Sequence, residues 1–251
     1  GYSYSSLDAV SATQRNFIPK TTFTYFPPDP CLTTGLITEY PYLQDFEDNV
    51  NCWAIVDVDG DGENWVWYEG NSAHSGSGYM ASYSYDPSEQ TPLYPTNFLF
   101  SPYFQLPASG SYELSWYTKC SFNNQWRDNY TVYICDADLN ILYYTYYTAP
   151  YGEYQREYIS LDAYLGRVIR IVFSHENSDD KGELFLDDVS IAPPPPCPTT
   201  IASREDWNTF CDCVNNGRTD YAGQTVTLTV DVSDITKMAG NSTTNCFKGT
   251  F

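Results

Sequence analysis

Positive charge is scarce in this sequence. Its 251 residues include 12 Lys and Arg against 32 Asp and Glu, which gives a formal net charge of −20 with the two His neutral. A surface of this charge repels the phosphates of nucleic acids and the headgroups of anionic membranes, and it attracts cations. The composition therefore excludes nucleic acid as a partner and favours a protein that binds cations.

Long apolar runs are also lacking. No stretch approaches the roughly 18 consecutive apolar residues that indicate a membrane-spanning helix, so we expect no membrane insertion. The opening residues, GYSYSS, do not have the pattern of a secretion signal, and we expect a mature or trimmed chain. Whether the protein is exported is left open by these residues.

Motifs of catalysis are missing as well. The sequence has no GxSxG elbow and no phosphate-binding loop, and its histidines are His74 and His175. His175 follows a strand-like run and has acidic neighbours, but a single histidine at a strand end is more typical of a structural role. The eight cysteines contain no CxxC pair, and their even number permits disulfides and indicates an oxidising compartment. We expect no enzymatic activity.

Aromatic residues are abundant, at 17% of the chain, and supply the apolar surface that a core needs.

Local composition divides the sequence into four segments. Residues 1–37, rich in Ser, Thr and Pro, are predicted to form an N-terminal extension, and residues 38–192 carry the strand signals. Residues 193–198 begin with four prolines and are predicted to be a stiff linker. Residues 199–251 are predicted to form a small module, and the alternative that they are a fragment of a larger one stays open.

Short strand-like runs follow one another through residues 38–192, separated by turn signals and without intervening helices. The clearest runs are YELSWYTKC, NYTVYICDA, NILYYTYYT, RVIRIVFSH and GELFLDDVSI. The last two alternate less cleanly than half-exposed strands and are predicted to lie centrally in their sheets. The predicted fold class is mainly β, an antiparallel jelly-roll β-sandwich followed by a small α+β module. In that module, Ser203 is predicted to cap a helix and QTVTLTVDVSDI to form a strand.

The stretch DVDGDGENW has three aspartates at alternate positions. Asp57, Asp59 and Asp61 match positions one, three and five of an EF-hand loop, and Gly62 matches the glycine at position six. Position twelve, where an EF-hand has a glutamate, is Tyr68, and the flanking sequences are strand-like. We therefore expect a Ca²⁺ loop that is not an EF-hand and that takes its closing ligand from elsewhere in the fold.

Two acidic groups are candidates for that closing ligand. One is DFEDN, which contains Glu47, and the other is LDDV, which contains Asp187 and Asp188. Both lie within apolar, strand-like runs, where a carboxylate is costly unless it is paired or metal-bound. The alternative is that these are solvated acidic turns.

The order of these pieces, from DFEDN and DVDGDGENW through LFSPYFQLPASGSYELSWY to LFLDDVSI, resembles the cleaved adhesin domain of gingipain-type haemagglutinin/adhesin regions and other Bacteroidetes surface proteins. The resemblance covers residues 38–192 and implies a calcium-bearing jelly roll without catalytic residues, located at the cell surface and associated with adhesion to host proteins and cells. The ligands that it implies are, in the loop, Asp57, Asp59, Asp61 and the backbone of Glu63, and, as a second or closing group, Glu47, Asp187 and Asp188. The last segment resembles the opening of β-strand repeat modules, which implies that the chain is part of a larger modular surface protein.

Two groups of residues are candidates for contact with an adhesion ligand. Tyr144 and Tyr146 belong to a run with seven tyrosines, and Trp126 with Arg127 places an aromatic ring beside a cation in a polar loop. Exposed aromatic faces stack on sugar rings, and tyrosine-rich surfaces also bind proteins, although sandwich packing alone can account for many tyrosines. The predicted function is adhesion to a host protein or glycan. The alternatives are a carbohydrate-binding module of a secreted polysaccharide-handling protein and a structural spacer in a modular surface protein.

Overall fold

The computed structural model describes residues 35–48, 50, 52–121, 126–231 and 237–251. The chain divides into two compact units, one ending at Pro193 and the other running from Pro194 to Phe251. Residues 1–34 of the predicted extension lie outside the described residues. Leu36–Ile37, which the sequence assigned to that extension, forms a strand of the first unit.

The first unit consists almost entirely of strands. In chain order they are β1 (Leu36–Ile37), β2 (Tyr42–Gln44), β3 (Ala54–Asp57), β4 (Val66–Glu69), β5 (Gly78–Tyr83), β6 (Tyr85–Asp86), β7 (Thr91–Pro92), β8 (Asn97–Gln105), β9 (Glu113–Cys120), β10 (Asn129–Asp136), β11 (Ile141–Thr148), β12 (Gln155–Ser160), β13 (Val168–His175) and β14 (Glu183–Ala192). A 3-10 helix, Asp162–Tyr164, lies between β12 and β13.

Two six-stranded sheets pack against each other. Sheet A has the order β1-β8-β13-β10-β11, with β3 also paired to β8. Sheet B has the order β12-β9-β14-β5-β4, with β2 also paired to β14. All these pairs are antiparallel except that of β1 with β8, so the predicted antiparallel jelly-roll sandwich is confirmed. The five predicted runs form β9, β10, β11, β13 and β14, and the last two are central strands, as expected.

The core between the sheets is centred on Trp116 of β9. This side chain is fully buried, and its ring lies 5.5 Å from that of Phe173 on β13 and 5.2 Å from that of Tyr147 on β11. Its indole N–H donates to the hydroxyl of Tyr130 at 3.0 Å. Trp116 therefore links sheet B to three strands of sheet A.

The second unit contains a helix and a small parallel sheet. Helix α1 is Arg204–Asn215, and β15 (Thr200–Ile201) pairs with β16 (Thr227–Leu228). The Ser203 hydroxyl accepts a hydrogen bond from the N–H of Asp206 at 3.0 Å, which confirms the predicted cap. No helix of the described residues is long and apolar enough to cross a membrane.

Two features of this unit differ from the sequence-based expectation. The run predicted as one long strand over residues 224–235 contributes only the short β16 to a sheet, and residues 232–236 of it lie outside the described residues. Cys197, placed in the linker by its neighbouring prolines, is disulfide-bonded to Cys213 of the helix. Part of the predicted linker is therefore attached to the second unit.

Candidate metal and ligand sites

The acidic loop, residues 57–63, crosses from one sheet to the other. It begins at the end of β3 in sheet A and leads to β4 in sheet B. Asp57, Asp59 and Asp61 each place a ligand atom within 4.8 Å of the others. Gly60 and Gly62 have positive φ angles of 73° and 93°, which glycine adopts without strain. The predicted loop thus brings its three aspartates together.

Backbone N–H groups hold these carboxylates in place. Asp57 accepts from Gly60 at 2.6 Å and from Gly62 at 3.0 Å, one bond to each of its oxygens. Asp59 accepts from Thr96 at 2.7 Å, which attaches the loop to the segment before β8. The loop is therefore fixed at both its own turn and a neighbouring segment.

The carboxylates of the loop also shift one another's pKa values. Burial, a hydrogen bond with Asp57 and the charge of Asp61 raise the pKa of Asp59 to about 6. Burial raises the pKa of Asp57, but hydrogen bonds from Asp59 and from backbone N–H groups outweigh it and leave this pKa lowered. Carboxylate oxygens crowded in this way are the hard ligands that Ca²⁺ prefers, so the residues present fit that ion. The fourth predicted loop residue, Glu63, has an exposed side chain, and its N–H donates to Asp61 at 2.8 Å.

Glu47 contacts a different loop, between β4 and β5. Its Oε1 accepts hydrogen bonds from the N–H groups of Ser77 and Gly78, both at 2.8 Å. These bonds, the one from Gly78 first, lower the pKa of Glu47. A Cβ atom at Gly76 would lie 2.2 Å from the Glu47 carboxyl group, and one at Gly78 would lie 2.1 Å from the carbonyl oxygen of Phe46. Gly78 is thus required by the close approach of the Phe46 backbone, and Gly76 leaves room for the Glu47 carboxyl group.

Asp187 and Asp188 reach the same loop from β14. Asp187 is fully buried and accepts from the N–H groups of His74 at 2.7 Å and Ser75 at 3.4 Å. Asp188 has its carboxylate 2.6 Å from Nδ1 of His74 and accepts from the Ser75 hydroxyl at 2.9 Å. Burial raises the pKa of Asp187 to about 7, and the charge of Asp188 adds to this. Asp187 is therefore the inward-pointing member of the pair.

The predicted metal residues thus form two groups. Asp57, Asp59 and Asp61 lie together, and within the described residues they are the one set of three or more such ligands that converge. Glu47, Asp187 and Asp188 converge instead on the loop of residues 74–78. That either group binds a metal stays a prediction.

The predicted ligand residues form two pairs. Tyr144 and Tyr146 lie on β11 with their rings 5.6 Å apart, and Tyr144 stacks on Tyr133 of β10 at 5.9 Å. Tyr146 is 48% exposed, and Trp126 is 44% exposed on the loop before β10. The Arg127 side chain beside it is exposed as well. Trp126, Arg127 and Tyr146 are thus exposed, and Tyr144 is half-buried.

A buried polar network escaped sequence-based reasoning. The His175 ring, fully buried, lies 3.2 Å from the Asp128 carboxylate through Nε2 and 2.8 Å from the Ser82 hydroxyl through Nδ1. Ser84 donates to the same Asp128 oxygen at 2.6 Å, and Asn97 donates to Ser82 at 3.3 Å. All five residues are closed to solvent. A Ser–His–Asp set in this position has no access to a substrate, and its role is structural.

The network anchors one candidate ligand loop. Asp128 follows Trp126 and Arg127 directly, and it is hydrogen-bonded to His175 of β13 and to Ser84, the residue after β5. The sequence around Asp128 gives no signal of these hydrogen bonds, because Ser84 and His175 lie 44 and 47 residues away from it. The buried hydrogen bonds of Asp128 therefore fix the chain directly after the exposed Trp126 and Arg127.

The raised pKa values predict how stability depends on pH. Asp187 and Asp59 have folded-state pKa values of about 7 and about 6, above the unfolded value of 3.8. At pH values between the unfolded and the folded pKa of each group, the folded protein therefore binds more protons than the unfolded chain. In a chelator, we expect the free energy of unfolding to rise as the pH falls from 7.5 to 5, measured by urea denaturation. Asp187→Asn should reduce this rise, and a flat profile of the unmodified protein would contradict the raised values.

Comparison with known proteins finds similarity over part of the first unit. The Cleaved Adhesin Domain family matches residues 41–149. Hemagglutinin A of Porphyromonas gingivalis is 30% identical over 170 residues, an alignment that covers 57% of this chain and 8% of that protein. The K3 Cleaved Adhesin Domain of Lys-gingipain from the same species is 26% identical with a TM-score of 0.50, covering 60% of this chain and 98% of that domain. A CBM4 structure is 16% identical with a TM-score of 0.39, covering 62% of this chain and 95% of its own.

The similarity covers only part of this chain and a small part of Hemagglutinin A. The chain spans less than a tenth of Hemagglutinin A, so the match concerns one domain of a much longer protein. The family is one of adhesion domains and not of catalytic domains. The matched residues lie within the first unit and include the acidic loop. On this evidence the first unit contains a region, residues 41–149, that is similar to the cleaved adhesin domain family.

Proposed function

We propose that the sandwich is a calcium-stabilised adhesion module of a larger, extracellular surface protein, that it binds a host protein or glycan, and that it has no catalytic role. The observation that carries the calcium part is the convergence of Asp57, Asp59 and Asp61 on a loop that joins the two sheets. Three carboxylates so close together repel one another, and a divalent cation would remove this repulsion. Calcium bound there fastens sheet A to sheet B.

The second acidic group supports the same role. Glu47 precedes the loop of residues 74–78 in the sequence, and Asp187 follows it. Both carboxylates accept hydrogen bonds from backbone N–H groups of that loop. A second calcium ion at this group would stabilise the buried charge of Asp187, whose pKa burial raises to about 7. In both places the metal acts on stability and not on chemistry.

Surface location has independent support. The Cys197–Cys213 disulfide is of a kind that persists in oxidising, extracytoplasmic compartments. Trp126, Arg127 and Tyr146 then present exposed contact groups to the surroundings, and the ring of the half-buried Tyr144 lies 5.6 Å from that of Tyr146. Aromatic and arginine side chains are the groups that carry most binding energy at protein interfaces.

Thermal melting with millimolar calcium and with a chelator tests the proposal. Saturation at a hundred times the dissociation constant should stabilise the protein by about 2.7 kcal/mol and raise Tm accordingly. The double variant Asp59→Asn with Asp61→Asn should lose most of this shift, because it removes two of the three converging carboxylates. A charge-matched control, Asp138→Asn with Asp179→Asn on exposed positions, should keep it. An equal calcium shift in both double variants would remove the acidic loop from the site.

A further inference from the structure

The outer face of sheet B is lined with aromatic side chains. Trp116 and Leu186 point into the core, so strand alternation places Tyr117 and Phe185 on the opposite side. This surface, called the aromatic face below, consists of Tyr68, Tyr79, Tyr117, Lys119, Tyr154 and Phe185. None of these residues was predicted to contact a ligand, since they come from β4, β5, β9, β14 and a loop.

Three of the rings form a continuous row across three strands. Tyr68 and Tyr79 oppose each other on β4 and β5 and stack at 5.8 Å. Tyr79 lies 5.5 Å from Phe185, the next ring along the row. Phe185 and Tyr79 are buried beneath their neighbours, whereas Tyr68 and Tyr154 are partly exposed. The face therefore has partly exposed rings at its surface and buried rings packed beneath them.

Lys119 lies in the middle of this surface. It opposes Phe185 in the strand register, and its ammonium lies 5.3 Å from the ring of Phe185 and 4.4 Å from that of Tyr154. No carboxylate lies within ion-pairing distance of it among the described residues. Burial lowers the pKa of Lys119, although Glu153 and Asp187 oppose this from a greater distance. A half-buried cation without a paired anion is a favourable place for a ligand carboxylate.

A second polar group beside Lys119 also lacks a partner. The hydroxyl of Tyr154 is shielded from solvent and has no hydrogen-bond partner among the described residues. Such a group is costly unless a ligand or a water molecule satisfies it. Lys119 and Tyr154 therefore supply an ammonium and a hydroxyl on one aromatic surface.

We propose that the aromatic face binds a glycan that carries a carboxylate, with the Lys119 ammonium on the carboxylate and the partly exposed tyrosine rings against the sugar. The proposal rests on the proposed adhesion function and specifies its ligand. An acidic protein would also offer carboxylates, but it would bring many charges toward a chain of net charge −20. A sugar acid brings one charge per ring together with the apolar C–H face that aromatic rings contact.

Calorimetric titration of the full chain, in calcium, with two matched pairs of sugars tests this. One pair is sialyllactose and lactose, and the other is trigalacturonate and galactotriose, which distinguish a host glycan from a uronate polysaccharide. We expect the acidic member of at least one pair to bind about tenfold or more tightly than its neutral partner. Lys119→Gln should abolish this preference, and Tyr154→Phe, which keeps the ring, should weaken binding of the acidic sugar.

Lys181→Gln is the matched control, because it removes the same charge from the same unit outside the aromatic face, and it should keep the preference. Equal binding within both pairs, no binding of either acidic sugar, or tighter binding of a glutamate peptide would overturn the proposal. An unchanged preference in Lys119→Gln would do the same. The calcium-dependent Tm of each variant is recorded separately, so that failure of the calcium clamp is distinguishable from failure of glycan binding.

Discussion

Replacing Asp128 with alanine should lower the free energy of unfolding of the sandwich by about 2 to 5 kcal/mol, because it leaves the buried side chains of His175 and Ser84 without the acceptor that they share. His175 and Ser84 both hydrogen-bond the same Asp128 oxygen, and all three side chains are closed to solvent. Urea denaturation followed by tryptophan fluorescence measures the loss. We expect the midpoint to fall without a change in the slope, since the surface exposed on unfolding stays similar.

The control for this variant is Asp138→Ala, on an exposed turn after β10. It removes the same side chain and the same charge, and its effect should remain within about 0.5 kcal/mol. Asp128→Asn should lie between the two, because an amide oxygen still accepts both hydrogen bonds. A loss below 1 kcal/mol in Asp128→Ala would show that the network contributes little and that the Trp126–Arg127 loop has another support.

Replacing Trp116 with alanine should cost about 3 to 5 kcal/mol as well, through the cavity left between the sheets. The indole contacts Phe173 and Tyr147 and donates to Tyr130, so its removal weakens sheet-to-sheet packing at three strands. Differential scanning calorimetry should record a lower Tm for the sandwich. Trp116→Phe should lose less, because a phenyl ring keeps part of the ring contacts and leaves a smaller cavity, although the hydrogen bond to Tyr130 is lost.

Trp126→Ala serves as the control, since this tryptophan is 44% exposed on a loop. Its replacement should leave the free energy of unfolding within about 0.5 kcal/mol of the unmodified protein. Equal losses in the two alanine variants would mean that the sandwich is not held together by Trp116. A change in ligand binding without a change in stability would instead place Trp126 in the adhesion surface.

Local patterns were enough to predict five of the longer strands and the turn of the acidic loop. Runs of β-branched and aromatic residues define β9, β10, β11, β13 and β14 almost to the residue, because strand signals are local. The alternation of Asp57, Asp59 and Asp61 with glycines likewise fixes its own turn through neighbouring N–H groups. Both signals, the strand-forming runs and the alternating aspartates, lie within a few residues of the structure that they predict.

Contacts between distant segments were not predictable in the same way. Glu47 and the Asp187–Asp188 pair were expected as possible closing ligands for the acidic loop, and the fold directs them to the loop of residues 74–78. This depends on how β14 registers with β5 and β9, which composition does not specify. The same register brings Lys119 opposite Phe185 and so builds the aromatic face.

The position of β14 has a consequence for the order of folding. This strand is the last of the sandwich along the chain, yet it lies in the centre of sheet B, between β5 and β9, and also pairs with β2. Until residues 183–192 have left the ribosome, three earlier strands have no partner on the edge that β14 will occupy, and the core lacks Leu184, Leu186 and Ile191. The unfinished chain therefore exposes strand edges and apolar side chains, the features that promote aggregation. Completion of the sandwich is a late step, taken once the whole unit has been synthesised, and the cell must keep the chain unaggregated until then.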